Sequence, residues 1–325
     1  MKKIIYIEKS IENSKRVNFI ISKYKNSQII LVDKYTEIFN KKNQHFKLQK
    51  INPAIILAKK HKNFLSPTPS KYTIGNKTNY YFSHMYNCVF DCKYCFLQGL
   101  YKSANYVIFV NYEDYFNKIG QIAKKNCKKQ ITFFSGYDCD SLAFNPYTGF
   151  IEEALNFFDK HKNAELEIRT KSSIIKPLLF KSIDNVVIAY SFTPDKFSKK
   201  YEAGVPNVEK RLNTIKKLLA FNWKIGIRFD PILIYENWQS DYKKLFHEIF
   251  NIIPQKNLHS VTYGNLRFPK HVFKRIEKIK FKEPLFFNLK LDNNLYEEYE
   301  KGKIESFCKL NLEKYVKKEK IFSNL

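Results

Sequence analysis

The stretch NCVFDCKYCFLQG at residues 87–99 places Cys88, Cys92 and Cys95 in the spacing C-x3-C-x2-C. A tight loop with this spacing brings three thiolates to one side. Three thiolates cover three irons of a [4Fe–4S] cubane and leave the fourth iron open. An open iron could chelate the amino and carboxylate groups of S-adenosylmethionine, and Tyr94 is placed to touch its adenine. We therefore predict that the three cysteines bind a cluster that splits this cofactor into a radical.

Two other interpretations of the three cysteines stay open. A structural zinc ion needs four closed ligands, and the additional candidates are His84 nearby and Cys127 and Cys139 far along the chain. The cysteines could also be buried thiols without a metal. Six cysteines in 325 residues do not indicate a disulfide scaffold, and the crowding of three of them favours metal in a reducing compartment.

Strand-like and helix-like segments alternate from residue 78 onward. The strand candidates are TNYYFSHMY, YVIFV, QITFFS, ELEIRT, VVIAYSF, KIGIRFDPIL and SVTYGN, and the helix candidates are 112–126, 149–161, 207–221 and 239–252. This alternation predicts a parallel α/β fold. About six such units suit a closed or partly closed barrel, in which the chemistry sits at the carboxyl ends of the strands.

Three regions are predicted along the chain. Residues 1–75 form a small N-terminal α/β unit with the apolar runs KIIYI and QIILV, and they end in the Pro/Ser-rich linker FLSPTPSKY. Residues 76–290 form the barrel. Residues 291–325 form a helical tail, rich in Lys and Glu, that packs as a lid or stays solvated.

The formal net charge is +26, which would attract phosphate backbones. An AT-rich genome would give the same bias, because 51 of the basic residues are Lys and six are Arg. The Arg residues that persist in this background are candidates for bidentate contacts, namely Arg169, Arg211, Arg228 and Arg267. No apolar run approaches a membrane span, and the N-terminus does not resemble a signal peptide, so we expect a cytoplasmic protein.

The motifs around the cysteines resemble those of the radical S-adenosylmethionine superfamily and, within it, the spore photoproduct lyase family. Cys95 is followed by Phe96, Leu97 and Gln98, as in the family's aromatic-Leu-Gln pattern. Further similar segments occur in the same order over roughly residues 50–270: VNYED, SGYDCDSLAFNPYTG, ELEIRTKS, AYSFTP, YEAGVPNVEKRL, IGIRFDPIL and YGNLRF.

This resemblance implies a partial (β/α)6 barrel of TIM type, a [4Fe–4S] cluster and S-adenosylmethionine. It implies reversal of spore photoproduct, a thymine dimer in UV-damaged DNA, through a 5′-deoxyadenosyl radical. An electron donor such as flavodoxin or ferredoxin would reduce the cluster. The alternative is an enzyme of the same fold that acts on another nucleic-acid or peptide substrate.

Polar residues at the predicted strand ends are candidate cofactor ligands, each with a plainer alternative. Ser135 and Gly136 could meet the amino-acid end of the cofactor or form an ordinary turn. The other candidates are Asp138 and Asp140, which could instead cap a helix, Lys171, which could be solvated, Ser191, and Arg228 with Asp230, which could form a structural pair. Glu202 and Arg211 could also pair or reach substrate, and Arg267 is the candidate for a DNA phosphate contact.

The chain departs from the family at the positions that finish the reaction. The family's hydrogen-donor cysteine aligns with Tyr137, and Cys139 lies two residues later. The family's second tyrosine, directly after the last cluster cysteine, is Phe96 here, which has no O–H group. We therefore predict Tyr94, Tyr137 and Cys139 as the catalytic candidates, with Tyr137 or Cys139 as the donor, or else a different substrate.

Overall fold

The computed structural model of the chain describes residues 2–75, 78–279 and 283–325. Its strands in chain order are β1 Ile4–Glu8, β2 Gln28–Val32, β3 Ile55–Ala58, β4 Ser66–Pro67, β5 Asn79–Phe82, β6 Met85–Tyr86, β7 Asp91–Cys92, β8 Tyr106–Phe109, β9 Ile131–Ser135, β10 Ala164–Thr170, β11 Val186–Ser191, β12 Glu202–Ala203, β13 Lys224–Ile232, β14 Leu258–Asn265, β15 Arg267–Pro269, β16 Leu289–Asp292, β17 Leu295–Glu298 and β18 Ile321–Ser323. Its α-helices are α1 Lys15–Ser22, α2 Phe46–Ile51, α3 Leu97–Leu100, α4 Tyr112–Lys125, α5 Asn145–Thr148, α6 Phe150–Lys160, α7 Asp195–Tyr201, α8 Val208–Leu219, α9 Trp238–Phe250, α10 Lys270–Ile279 and α11 Lys301–Leu312.

The larger sheet is a curled half-barrel with the strand order β18-β14-β13-β11-β10-β9-β5-β4. Its strands pair in parallel from β5 to β18, and β4 pairs with β5 in the antiparallel sense. Helices α4, α6 and α8 fall within three of the segments predicted as helical, and α9 begins one residue before the fourth, 239–252. The prediction of a partial β/α barrel is therefore confirmed.

A smaller sheet has the order β2-β1-β3-β8-β6 and combines strands from both sides of the boundary predicted at residue 75. The run YVIFV, predicted as a barrel strand, lies here instead, because β8 pairs in parallel with β3. All four residues of each of these strands are buried. The predicted strand TNYYFSHMY is also divided, since β5 belongs to the half-barrel and β6 to the smaller sheet.

Aromatic and β-branched side chains fill the core between the half-barrel and its helices. In α6 the buried positions recur at helical spacing, and the helix starts after Gly149, whose positive φ of 63° separates it from α5. Trp223 is fully buried at the start of β13, and its indole N–H donates to the Leu178 carbonyl at 2.7 Å. Burial of one such large side chain stabilises the fold by roughly 1.5–3 kcal/mol.

The C-terminal residues join the half-barrel. Strand β18 pairs in parallel with β14, and α11 buries Ile304, Phe307 and Leu312. A third, antiparallel sheet has the order β15-β17-β16. The tail predicted at 291–325 thus contains the expected helix, but it also supplies strands to two sheets.

None of the helices in the described part of the chain combines the length and the apolar character needed to cross a membrane.

Candidate functional site

Hydrogen bonds before, within and after the cysteine loop hold it in place. Asn87 adopts a positive φ of 66°, and its side-chain amide donates to the carbonyls of Ser103 and Asn105 at 2.8 and 2.7 Å. Strand β7, which contains Cys92, pairs with β12, so that Cys92 lies opposite Glu202. The Gln98 side chain donates to Asp91 at 2.6 Å and to the Cys92 carbonyl at 3.3 Å. The loop is therefore a fixed structure rather than a loose connection.

The three cysteines line one cleft at the carboxyl ends of the half-barrel strands. The cleft encloses about 800 Å³, part of it open to solvent. Its lining consists of Phe46, Lys50, Asn87, Cys88, Phe90, Cys92, Cys95, Leu97, Gln98, Ala104, Gly136, Tyr137, Cys139, Asp140, Arg169, Thr170, Lys171 and Ser191. The structure thus brings the predicted ligands together with Gly136, Tyr137, Cys139, Lys171 and Ser191.

The donor set of the cleft suits a cluster better than a single ion. Burial raises the pKa of Cys88 to about 12 and that of Cys92 well above its usual value, and a bound metal would displace both protons. Among the described residues, no three His, Cys, Asp or Glu side chains converge as the ligands of one ion would. The ligands of a cubane need not converge on one point, since each thiolate binds its own iron.

Within the described ranges of the chain, a zinc ion on the three cysteines would find no fourth ligand beside the loop. His84 is buried and stacks on Phe150 at 3.9 Å between ring centroids, and burial lowers its pKa to about 3. Cys127 is exposed beyond α4. Cys139 does line the cleft, but it does not complete a tetrahedral set there.

Three cations line the cleft: Lys171 was predicted as a cofactor ligand, Arg169 only as a candidate for bidentate contacts, and Lys50 not at all. Lys50 comes from α2 in the N-terminal region and lies 3.6 Å from Asp91. Arg169 donates to Glu167 at 2.8 and 3.0 Å and is about one third exposed. Lys171, the predicted residue, lies 3.4 Å from Glu202. The persistence of Arg169 in a Lys-rich chain was the sequence signal for its role, whereas nothing local marked Lys50.

Glu202 anchors the region behind the loop. It forms a fully buried ion pair with Arg211 at 2.9 Å, so the structural alternative describes this pair. Burial opposes its ionisation, but Lys171 and Arg211 lower the pKa of Glu202 to about 2. The Tyr94 hydroxyl donates to Glu202, and Tyr94 is only 5% exposed. Tyr94 was expected to touch adenine, yet the structure places it in this packed layer rather than in the lining of the cleft.

The segment after β9 divides the predicted ligands between the cleft and the interior. Gly136 lines the cleft with a φ of 77°, and a Cβ there would lie 2.3 Å from the Ser141 hydroxyl oxygen. Ser135 was expected to meet the cofactor, but its hydroxyl donates to the Glu167 carbonyl and bonds to Ser141. Asp138 points away as well, because its carboxylate accepts from Ser83 and Tyr101, and burial raises its pKa.

Asp140 holds the turn that carries this segment. It accepts from the backbone N–H groups of Leu142, Ala143 and Lys171 and from the Thr170 hydroxyl. Leu142 and Ala143 belong to the turn before α5, whose N-cap is Phe144, so Asp140 closes this turn rather than capping the helix. Its contacts with Thr170 and Lys171 fix the end of β10 beside it. Burial raises the pKa of Asp140 despite these four donors.

Arg228 and Asp230 do not pair with each other and do not line the cleft. Arg228 is buried inside the half-barrel, where it donates to Glu167 at 2.6 Å and to the Ser260 hydroxyl at 3.0 Å. Asp230 pairs with Arg267 at 3.3 Å. The alternative of a structural pair between Arg228 and Asp230 is therefore wrong, because each residue pairs with a different partner. Arg267 was predicted to grip a phosphate, but it is engaged by Asp230 and by the Tyr72 hydroxyl.

The two donor candidates occupy different surroundings. Tyr137 lines the cleft and is 47% exposed, with ring contacts to Tyr81 at 4.4 Å and to Phe96 at 5.3 Å between centroids. Cys139 lines the same cleft but is 7% exposed and packs into the apolar cluster of the smaller sheet. Burial raises the pKa of the Cys139 thiol well above its usual value. The thiol therefore keeps its hydrogen at neutral pH.

The structure defines a curled parallel half-barrel with a cysteine-lined cleft at its strand ends. The family model of spore photoproduct lyase matches residues 5–324, and the chain therefore belongs to the spore photoproduct lyase family. Spore photoproduct lyase of Clostridium acetobutylicum is 28% identical over 189 residues, which are 57% of this chain and 56% of that protein. The enzyme of Bacillus subtilis is 26% identical over 195 residues, 59% of this chain and 57% of that protein.

The similarity in structure extends over more of the chain than these alignments. A solved spore photoproduct lyase complexed with dinucleoside spore photoproduct matches with a TM-score of 0.82 and 17% identity, covering 100% of this chain and 98% of that one. A variant solved with bound AdoMet and dinucleoside spore photoproduct matches equally well. These matches show the fold. The sequence matches span little more than half the length of the curated relatives.

Proposed function

We propose that this chain is a radical S-adenosylmethionine lyase that reverses spore photoproduct in DNA. The observation that carries the proposal is the meeting of Cys88, Cys92 and Cys95 in one cleft at the strand ends of a half-barrel. Membership of the spore photoproduct lyase family supports the choice of substrate, since relatives of the same fold were solved with the dinucleoside lesion. The charge of +26 suits a DNA partner.

The three cysteines would hold a [4Fe–4S] cluster, with S-adenosylmethionine on its open iron. When bound and reduced, this pair would supply a 5′-deoxyadenosyl radical. A flavodoxin or ferredoxin would be a suitable reductant, and a reducing cytoplasm would suit the thiols. The chain's own contribution is to fix the loop, through the β7–β12 pairing and the Gln98 contacts, before the cofactor arrives.

Charged and polar groups on the cleft wall would orient the cofactor. Lys171 and Arg169 are each held by a buried carboxylate, so their positive groups are positioned without a ligand. Either cation suits the cofactor carboxylate, and the Ser191 hydroxyl, at the end of β11, suits its carboxylate or ribose. Arg228 and Glu167 would position Arg169 rather than contact the cofactor, because Glu167 forms ion pairs with both Arg228 and Arg169.

Cys139 is the hydrogen donor that this geometry favours. It lies in the wall of the cysteine cleft and carries a protonated thiol in an apolar setting. A donor of this kind must retain its hydrogen and stay away from bulk water until the product radical forms. Tyr137 is the competing donor, because it occupies the family's donor position.

Anaerobic reconstitution tests the proposal. The protein would be loaded with iron and sulfide, reduced, and given S-adenosylmethionine with an oligonucleotide that contains spore photoproduct. We expect the cluster's visible absorbance, cofactor cleavage, and conversion of the lesion to two thymines within the oligonucleotide, measured by chromatography. Cys92→Ala should abolish all three signals, whereas the matched variant Cys127→Ala, which removes an exposed cysteine, should leave them unchanged.

Another radical reaction is the second candidate, and the replacement of the family's donor cysteine by Tyr137 and of its tyrosine by Phe96 favours it. The same assay separates the two. Cofactor cleavage without repair of the lesion would move the assignment to a different nucleic-acid or peptide substrate. Binding of zinc in place of the cluster would contradict both.

A further inference from the structure

Three aromatic side chains meet around Tyr137, which lines the cleft and is exposed and so marks the mouth of the cleft. The rings of Tyr81 and Tyr137 are 4.4 Å apart at an angle of 31°, and those of Phe96 and Tyr137 are 5.3 Å apart at 46°. We call these three side chains the aromatic shelf. Tyr81 and Phe96 are half-buried, whereas Tyr137 is 47% exposed although it also lines the cleft.

The backbone is built to project Tyr137 outward. Gly136 has the positive φ that turns the chain at this point, and the Ser141 hydroxyl leaves no room there for a side chain. The neighbours Ser135 and Asp138 are buried and bonded to the interior. An exposed tyrosine between two anchored neighbours marks a contact surface more than a packing residue.

The charge around the shelf favours a polyanion with flat rings. The charged residues that line the cleft, among those the structure describes, are Lys50, Arg169, Lys171 and Asp140. The lining thus contains three positive groups and one carboxylate, and the carboxylates that pair with the cations, Asp91, Glu167 and Glu202, are not part of it. Aromatic rings beside cations are the combination that binds single-stranded or extruded bases, because every base has a face that can stack.

We infer that the aromatic shelf of Tyr81, Phe96 and Tyr137 stacks a nucleobase of the nucleic-acid substrate, and that Tyr137 serves there as a binding residue. The inference deepens the proposed function, on which the identity of the substrate rests. The cofactor's adenine is the competing occupant of the shelf. The cysteines would set the place of the cofactor; Cys92 is 7% exposed and Cys88 and Cys95 are half-buried, whereas Tyr137 of the shelf is 47% exposed.

Stacking and hydrogen donation make opposite demands on Tyr137. Stacking needs the ring, and donation needs the hydroxyl. Tyr137→Leu removes both, and Tyr137→Phe removes only the hydroxyl. A matched control is Phe180→Leu, which removes a ring that is 42% exposed beside Trp223, at the amino end of β13 and hence at the far end of the half-barrel.

The test measures binding of a short fluorescein-labelled oligothymidylate to the reconstituted protein without reductant, by fluorescence anisotropy. We expect Tyr137→Leu to weaken binding about tenfold, since stacking of one base on an aromatic ring commonly has an effect of this size. Tyr137→Phe and Phe180→Leu should bind within about twofold of the unsubstituted protein. Tyr81→Leu is a second shelf variant and should also weaken binding, and thermal unfolding verifies that each variant is folded.

Several outcomes would overturn the inference. One is oligonucleotide binding by Tyr137→Leu that equals that of the unsubstituted protein. Another is a loss of S-adenosylmethionine binding in equilibrium dialysis with oligonucleotide binding unchanged, which would assign the shelf to adenine. The proposed function can fail independently of this inference. If oligonucleotide binding depends on the Tyr137 ring but the protein cleaves no cofactor, the stacking role of the aromatic shelf stands and the lyase function is contradicted.

Discussion

On the floor of the cleft, Arg169 and Lys171 are held by the buried carboxylates of Glu167 and Glu202, whereas at the mouth Tyr81, Phe96 and Tyr137 meet through ring contacts. Charge pairs in a buried setting fix direction and distance. Ring contacts allow a range of tilts and leave surface for a ligand. The difference suggests a fixed floor for a small charged cofactor and an adaptable mouth for a larger substrate.

The largest expected effect is a loss of folding stability when the Glu167 carboxylate on the floor of the cleft is removed. Glu167→Gln leaves Arg228 buried without its ionic partner, and loss of one member of such a pair costs about 3–5 kcal/mol of folding free energy. Urea unfolding measures this change. The control Glu153→Gln removes a partly exposed partner of Arg16 and should cost less than about 1 kcal/mol. Equal effects of the two variants would show that the Glu167 contacts do not stabilise the floor.

A smaller effect concerns pH. The folded protein lowers the pKa of Glu202 from 4.5 to about 2, so its ionised form stabilises the fold above pH 4.5. This stability is lost as the pH falls from about 4.5 towards about 2, where the carboxylate becomes protonated.

The measurement is the difference in unfolding free energy between the unsubstituted protein and Glu202→Gln. That difference in unfolding free energy should shrink as the pH falls from about 4.5 towards about 2. Glu305→Gln, at the exposed pair with Lys309, should show a difference that stays near zero. A difference for Glu202→Gln that is independent of pH would contradict the assigned ion pairs.

The smallest expected effect is on the yield of repair when the Tyr137 hydroxyl at the mouth of the cleft is removed. Tyr137→Phe keeps the shelf, so the number of repaired lesions per cofactor cleaved should match that of the unsubstituted protein. Cys139→Ala should lower that ratio, because cofactor cleavage continues while the product radical lacks its donor. Cys308→Ala, which removes a buried cysteine of the core, is the matched control. A loss of clean repair in Tyr137→Phe alone would instead make Tyr137 the donor.

Local patterns predicted the parts of the molecule that local chemistry determines. The cysteine spacing, the barrel strands and four helices follow from short stretches of sequence. The placement of YVIFV did not follow, because a strand buried on both faces carries no mark of the sheet to which it belongs. Lys50 escaped notice for a similar reason, since its approach to Asp91 depends on how α2 packs.

Contacts between residues that are far apart in the sequence were the second feature that the sequence did not predict. Arg228 and Asp230 do share one strand, but their partners Glu167 and Arg267 lie on two other strands, β10 and β15. Ser135 sits at a strand end, where ligands bind in such folds, yet its hydroxyl is engaged by Ser141 and the Glu167 carbonyl. A residue's place along a strand predicts its region, and the neighbouring strands decide its contacts.

The pairing of β3 with β8 has a consequence for inheritance. The smaller sheet includes β8, which follows the cysteine loop in the chain, and Lys50 of α2 lines the cleft. Recombination that exchanged the leading residues for an unrelated module would remove the neighbour of β8 and one cation of the cleft together. We therefore expect the beginning of this chain and its cysteine loop to have been passed on as a single unit.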